Sequence, residues 1–292
     1  MKIHLYTICW NEGLMLDFFF THYQPWVERF VIYDDGSTDD SLAILTSKPN
    51  VEVRRFPRSH PDSYVLSAKE LQNNCWKESR GNADWVVVTA IDEHLHLYHH
   101  NILKYLSDCK KQHITLIPAL GYQMLTDEFP EKHEHLATTR TNGTSWGLMN
   151  KLSIFDPNVI RETNFGVGRH SAEPEGDLKS PKQDELLLLH YKYLGMRYLV
   201  QRNSFLNSGL GPTDRAHGWG IHYTWNEKIN ERFWQYFQNQ AVDVKSAWEN
   251  NKEPRWWRET SQDREESSWL KICRRFRSKF QMAWMARRIR LV

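Results

Sequence analysis

Acidic and amide side chains follow apolar runs at three places: Asn11-Glu12, Asp34-Asp35 and Asp92-Glu93. Carboxylates brought to one rim can accept hydrogen bonds from a nucleoside, hold a hard divalent cation through oxygen, or take a proton during group transfer. In an open parallel sheet ligands bind outside the carboxyl ends of the strands, where loops and helix starts converge. Any one of the pairs reads equally well as a helix cap, because Asn and Asp are favoured there. Capping does not explain why Asp92-Glu93 ends a wholly apolar stretch.

The elements that must position these residues alternate between two hydrophobic periods, which is the mark of an α/β domain. Residues 3–9, 30–33 and 51–55 read as parallel strands. Residues 12–23 carry Leu14, Leu16, Phe18, Phe19 and Phe20 and read as a crossover helix. Helices are also expected to start near Ser41 and to cover 65–76 and 102–109. Residues 85–91 have the unbroken apolar pattern of a strand buried on both faces. Strands at 114–118 and 186–191 follow, with loops and short strands between 121 and 185, and helices at 230–248 and 269–289. The expected division is a catalytic domain over 1–225 and a helical extension over 226–292.

The chain has 292 residues, of which 40% are hydrophobic and 25% charged, so it can bury a sizeable core. It has no apolar run long enough to span a membrane and no opening signal pattern, from which a cytoplasmic location is expected. The four cysteines lie far apart, which argues against a disulfide framework or a zinc ribbon. The net charge of +2 hides an asymmetry: residues 269–292 hold eight Lys and Arg and no acid, leaving the remainder at −6. Apolar residues recur at helical spacing in that tail, so it reads as a helix for an anionic membrane surface or for a protein face. An acidic body without a known module excludes nucleic acid as a partner.

Three strings carry a family resemblance: Thr7-Ile8-Cys9-Trp10-Asn11-Glu12, Tyr33-Asp34-Asp35-Gly36-Ser37-Thr38-Asp39, and Ala83-Asp84-Trp85 through Ile91-Asp92-Glu93. They resemble the motifs of family 2 type glycosyltransferases with the GT-A fold, an α/β fold with a mostly parallel sheet flanked by helices, here followed by the helical extension. The resemblance covers residues 1–120 best, and Leu189-His190-Tyr191-Lys192 resembles the histidine-bearing strand late in such domains. It implies a nucleotide diphosphate sugar as donor, with Asn11, Glu12, Asp34, Asp35 and Asp92 around it, and a glycan or lipid-linked acceptor. Asp35, with Asp34 beside it, would select the nucleoside. Asp92 would hold Mn²⁺ or Mg²⁺ against the diphosphate, although the first Asp of the family motif is Ala90 here. His190 is the further ligand by analogy, ahead of His94 and His96.

The resemblance also implies an inverting transfer in bacterial surface polysaccharide or lipopolysaccharide assembly, with the chain peripheral on the inner face of the cytoplasmic membrane. Asp184 and Glu185 lie at the spacing of the catalytic base. Glu93 is a further catalytic candidate, and Asp127, Glu128 and Glu173 are alternatives. Lys151, Arg169, Lys192 and Arg202 are candidate phosphate contacts. Trp146, Trp219, Tyr223 and Trp225 stand in polar stretches where rings can stack on a sugar, and glycine-bearing loops at 163–170 and 209–214 can close over a ligand. Ala90 leaves two rival readings, a binding protein without catalysis and a metal-dependent nucleotide hydrolase or nucleotidyltransferase.

Overall fold

A computed structural model describes residues 1–183 and 185–249. Asp184 and the basic tail at 269–292 lie outside the described residues. The strands are β1 (Ile3–Cys9), β2 (Arg29–Asp34), β3 (Val51–Arg55), β4 (Trp85–Val88), β5 (Glu93–His96), β6 (Leu116–Thr126), β7 (Asn142–Ser145), β8 (Lys151–Phe155), β9 (Ile160–Glu162), β10 (Glu175–Gly176), β11 (Leu187–Leu194) and β12 (Val242–Asp243). The helices are α1 (Leu16–Tyr23), α2 (Ser41–Thr46), α3 (Tyr64–Asn74), α4 (Ile102–Lys111), α5 (Leu136–Thr139), α6 (Met196–Ser208), α7 (Pro212–His217), α8 (Glu227–Gln238) and α9 (Val244–Glu249).

Among the described residues ten strands form one sheet in which β3, β2, β1 and β4 run parallel, as do β6 and β11. β8 enters antiparallel between β4 and β6. The result is a mixed α/β fold with a mostly parallel sheet flanked by helices, as the alternating periods predict. The aromatic run of α1 explains its docking: Phe19 and Phe20 pack edge-on against Phe30 of β2. Burying each such ring contributes about 1.5–3 kcal/mol. The helix begins at Leu16, later than expected, because the Glu12 carbonyl accepts the Met15 and Leu16 N–H groups in a turn that leaves Asn11 and Glu12 at the end of β1.

Three of the expected elements differ in extent, and α6 and α7 form where no helix was expected. The strand over 85–91 stops at Val88, because Thr89 and Ala90 donate to the Glu93 carboxylate and fold the chain back; Glu93 then opens β5. The strand expected at 114–118 runs on through Thr126, fully buried. Pro118 is tolerated at a register shift, and Gly121 lies where a Cβ would meet Met149 at 2.3 Å. The single helix expected over 230–248 is broken, since Val242–Asp243 pairs with β7 and the Asp243 carboxylate accepts the Ser246 N–H at the start of α9. α8 lies over the sheet, with Phe233, Trp234 and Phe237 packed against Leu125, Tyr193 and Leu199.

Candidate active site

The carboxyl ends of β1, β2 and β4 meet the middle of β11 and one face of α6. Asn11, in the left-handed region at φ 50°, fastens the first two: its Oδ1 accepts the Thr38 N–H at 2.6 Å and its N–H donates to Ser37. Arg202 of α6 donates to the carbonyls of Trp10 and Asn11 and pairs with the Glu12 carboxylate. Burial lifts Glu12 to about 7, with Arg202 pulling it down and the Asp92 charge pushing it up. The Gly209 backbone lies against the Trp10 ring, where a Cβ would stand 2.4 Å from it, which docks the turn at 209–211 on this corner. The loop expected over 209–214 is helical from Pro212 on, and Asp214 of α7 ties that helix to the start of α3 by accepting the Tyr64 N–H.

At the carboxyl end of β2, Asp34 Oδ2 accepts from the N–H groups of Gly36 and Ser37, which shapes the turn, while its buried Oδ1 has no partner. Asp35 is held two-pronged by Arg58, at 2.8 and 2.5 Å. Tyr64 lies within electrostatic reach of Asp35, Glu12, Arg202 and Tyr223, which joins this end to the rest of the cleft.

At the centre, His190 Nε2 stands 3.1 Å from Asp92 Oδ2, and His190 Nδ1 lies 2.7 Å from Gln123 Oε1. An amide oxygen only accepts, so Nδ1 donates to Gln123 and turns Nε2 toward the carboxylate oxygen, where either a proton on Nε2 or a metal cation bridges the two atoms. Neighbouring ligands of an octahedral cation with bonds near 2.1 Å sit about 3.0 Å apart. The donor set therefore fits a hard divalent cation with an imidazole and a carboxylate from the chain. Among the described residues no group of three or more His, Cys, Asp or Glu could hold a metal ion, so the other positions of such a cation would fall to substrate oxygens or water. Burial pushes Asp92 up, but a protonated His190 and the Arg202 guanidinium together leave the carboxyl below its usual range.

Lys192 is two residues beyond His190. Burial drops it to about 7 against the pull of Asp92, and its ammonium rests over the Tyr223 ring at 4.8 Å. It is a cation close to Asp92 with an aromatic face for support, suited to a phosphate.

Glu93 occupies a different environment. It is 2% exposed and shared between Lys151, at 2.6 Å, and Arg169, which also donates to the Val88 carbonyl. Burial raises its pKa, but Arg169 and then Lys151 drive it far below the usual range. Two of the four candidate phosphate contacts are thus spent beneath the cleft. Glu185 is not brought to this rim: it precedes β11 beside His100, and the β11–β5 register of Leu187 with His96 and His190 with Glu93 sets it at the opposite end of the ladder. His94 is buried and stacks on His22 at 4.7 Å. Trp146 and Trp225 pack against Phe237 and Phe233, and Trp219 stacks on His217. Gln123 and Arg58 were not singled out from the sequence. The signal for Gln123 was a lone amide inside an apolar run, and nothing local marked Arg58 as the partner of Asp35.

The sequence model of glycosyltransferase family 92 matches residues 14–253. The chain belongs to glycosyltransferase family 92. The motif resemblance thus holds at the level of a glycosyltransferase, and the matching family is 92 where the motifs resembled family 2. No curated protein matches this family 92 chain. Among solved structures it is similar to glucosyl-3-phosphoglycerate synthase from Mycobacterium tuberculosis in complex with Mn²⁺, uridine diphosphate and glucosyl-3-phosphoglycerate, at 19% identity and a TM-score of 0.28 over 41% of this chain and 44% of that one. The same synthase with phosphoglyceric acid matches at 13% identity and a TM-score of 0.31 over 53% and 57%. HddC from Yersinia pseudotuberculosis matches at 9% identity and a TM-score of 0.26 over 65% and 77%. The chain spans less than half of the first of these structures.

Proposed function

We propose that the chain moves a glycosyl group from a nucleotide diphosphate sugar to a hydroxyl of a glycan or lipid-linked acceptor, with Mn²⁺ or Mg²⁺ held by Asp92 and His190. The observation that carries this reading is the Asp92–His190 pair, set 3.1 Å apart with Gln123 fixing the imidazole. A cation bound there neutralises charge on the leaving diphosphate. Lys192 adds a second positive charge on the same side. Arg202 holds the Trp10–Glu12 backbone in place, and the turn shaped by Asn11 and Asp34 forms the nucleoside end, where Asp34 Oδ1 is the unpartnered acceptor.

We read the transfer as inverting. The base must then face the acceptor, and Glu93 is enclosed by its two cations while Glu185 stands at the far end of β11. Asp127 and Glu128 are exposed carboxylates just past the carboxyl end of β6, the placement an acceptor-side base needs. The proposed setting is surface polysaccharide or lipopolysaccharide assembly on the inner face of a cytoplasmic membrane, reached through the basic tail. No helix among the described residues is long and apolar enough to cross a membrane.

The test is a thermal-shift panel of nucleotide diphosphates with and without Mn²⁺. At least one should raise the melting temperature, and more so with the cation. His190→Ala should abolish the cation's contribution. No response to any nucleotide diphosphate, with or without Mn²⁺, would overturn the reading.

A further inference from the structure

A groove of about 580 Å³ opens beyond the carboxyl end of β6, between that strand, the segment from Thr139 to Asn142, α8 and β12. Its size lies within the ordinary range for small-ligand sites. Gln123 and Leu125 are two apart on β6, so both point to the face on which α8 lies. Leu125, itself in the groove wall, is two residues past Gln123, about 7 Å along the strand. The groove therefore starts roughly 7 Å from the residue that orients His190, on the same side of the sheet.

The lining has the chemistry of saccharide recognition. Asn142 and Gln238 are exposed and offer planar donor and acceptor pairs, exposed Asp127 adds an acceptor pair, all of which match the spacing of neighbouring sugar hydroxyls, and Trp234 contributes an indole. Its charge is selective. The acids Asp127, Glu128 and Asp243 face one basic lining residue, Arg140, and both prongs of that guanidinium are taken by Glu134, at 2.9 and 2.7 Å. A carboxylated or phosphorylated ligand would meet repulsion without a cation to receive it.

We infer that this groove binds a glycan free of acidic groups, as the acceptor chain or the part of it next to the reacting unit. The biological sense of the site rests on the glycosyl-transfer reading; the binding itself does not. It is tested by saturation-transfer NMR and titration of the intact chain with maltotriose, chitotriose, mannotriose and trigalacturonate, with nucleotide diphosphate affinity measured in parallel. At least one neutral trisaccharide should bind and trigalacturonate should not. Gln238→Ala should weaken the neutral ligand roughly tenfold with the melting temperature unchanged, and Asp127→Lys should admit trigalacturonate. Failure of all three neutral ligands, equal binding of trigalacturonate, or indifference to Gln238→Ala would each overturn the inference. A chain that binds the neutral ligand but no nucleotide diphosphate would keep the groove and remove the donor reading.

Discussion

At Gln123 a single amide decides which nitrogen His190 presents to Asp92. Outer partners of this kind commonly contribute 10–100-fold to metal affinity. Gln123→Ala should therefore weaken Mn²⁺ binding by about that factor in a titration with nucleotide diphosphate present, and unchanged affinity would show that the imidazole is fixed by something else. Lys192 gives a second handle. Its pKa of about 7 will rise when an anionic diphosphate arrives, so the complex should take up protons near pH 8. The sign is visible as a dependence of the calorimetric binding enthalpy on buffer ionisation heat, and Lys192→Met should remove it. Glu93 separates two readings that the sequence left open. If it balances Lys151 and Arg169, Glu93→Ala leaves two buried cations and costs about 3–5 kcal/mol of stability. If it were a base, turnover would fall with little change in the denaturation midpoint.

The packing of α1 against β5 and the turn before α5 gathers His22, His94, His96 and His135, with ring centroids between 4.7 and 6.1 Å apart in successive contacts. Burial is the main reason all four are harder to protonate than a free imidazole, His94 falling to about 3 and His96 to about 4. A depressed folded pKa means that the unfolded chain binds protons first. Stability is thus full above about pH 6.5 and is lost as pH falls toward 4, at roughly 1.4 kcal/mol per pH unit for each proton taken up. Melting curves between pH 7.5 and 5 should show this, and His94→Leu should flatten the slope without harm at pH 7.5, since neither ring nitrogen has a partner. An unaltered slope would remove His94 from the effect. These histidines also show where sequence reading stops. The alternation of His94 and His96 with Leu95 and Leu97 fits a strand or a loop with both rings on one side, and nothing local says that His22 covers it. β1, β2 and β3 were legible because their periodicity is a local property. The end of β4 was not, because Glu93 folds the chain back through bonds that a continuous apolar run conceals. Asp92 and His190 stand out in the sequence as motif residues and the fold brings them together, whereas Glu185 lies at the far end of β11, because distance along the chain carries no information about strand direction.

Across the whole molecule, charge is divided between an acidic body and the eight basic residues from 269 onward. Removing residues 269–292 should release the protein from anionic vesicles at moderate salt in a flotation assay, and persistent binding would assign membrane contact to the body. The order in which the site is assembled has a consequence for biosynthesis. Asp92 waits for His190, the Trp10–Glu12 corner waits for Arg202, and β6 waits for β11. A ribosome must therefore have released some two hundred residues before its product can close this cleft, and until then the newborn chain carries a strand flank open to any neighbour that offers one.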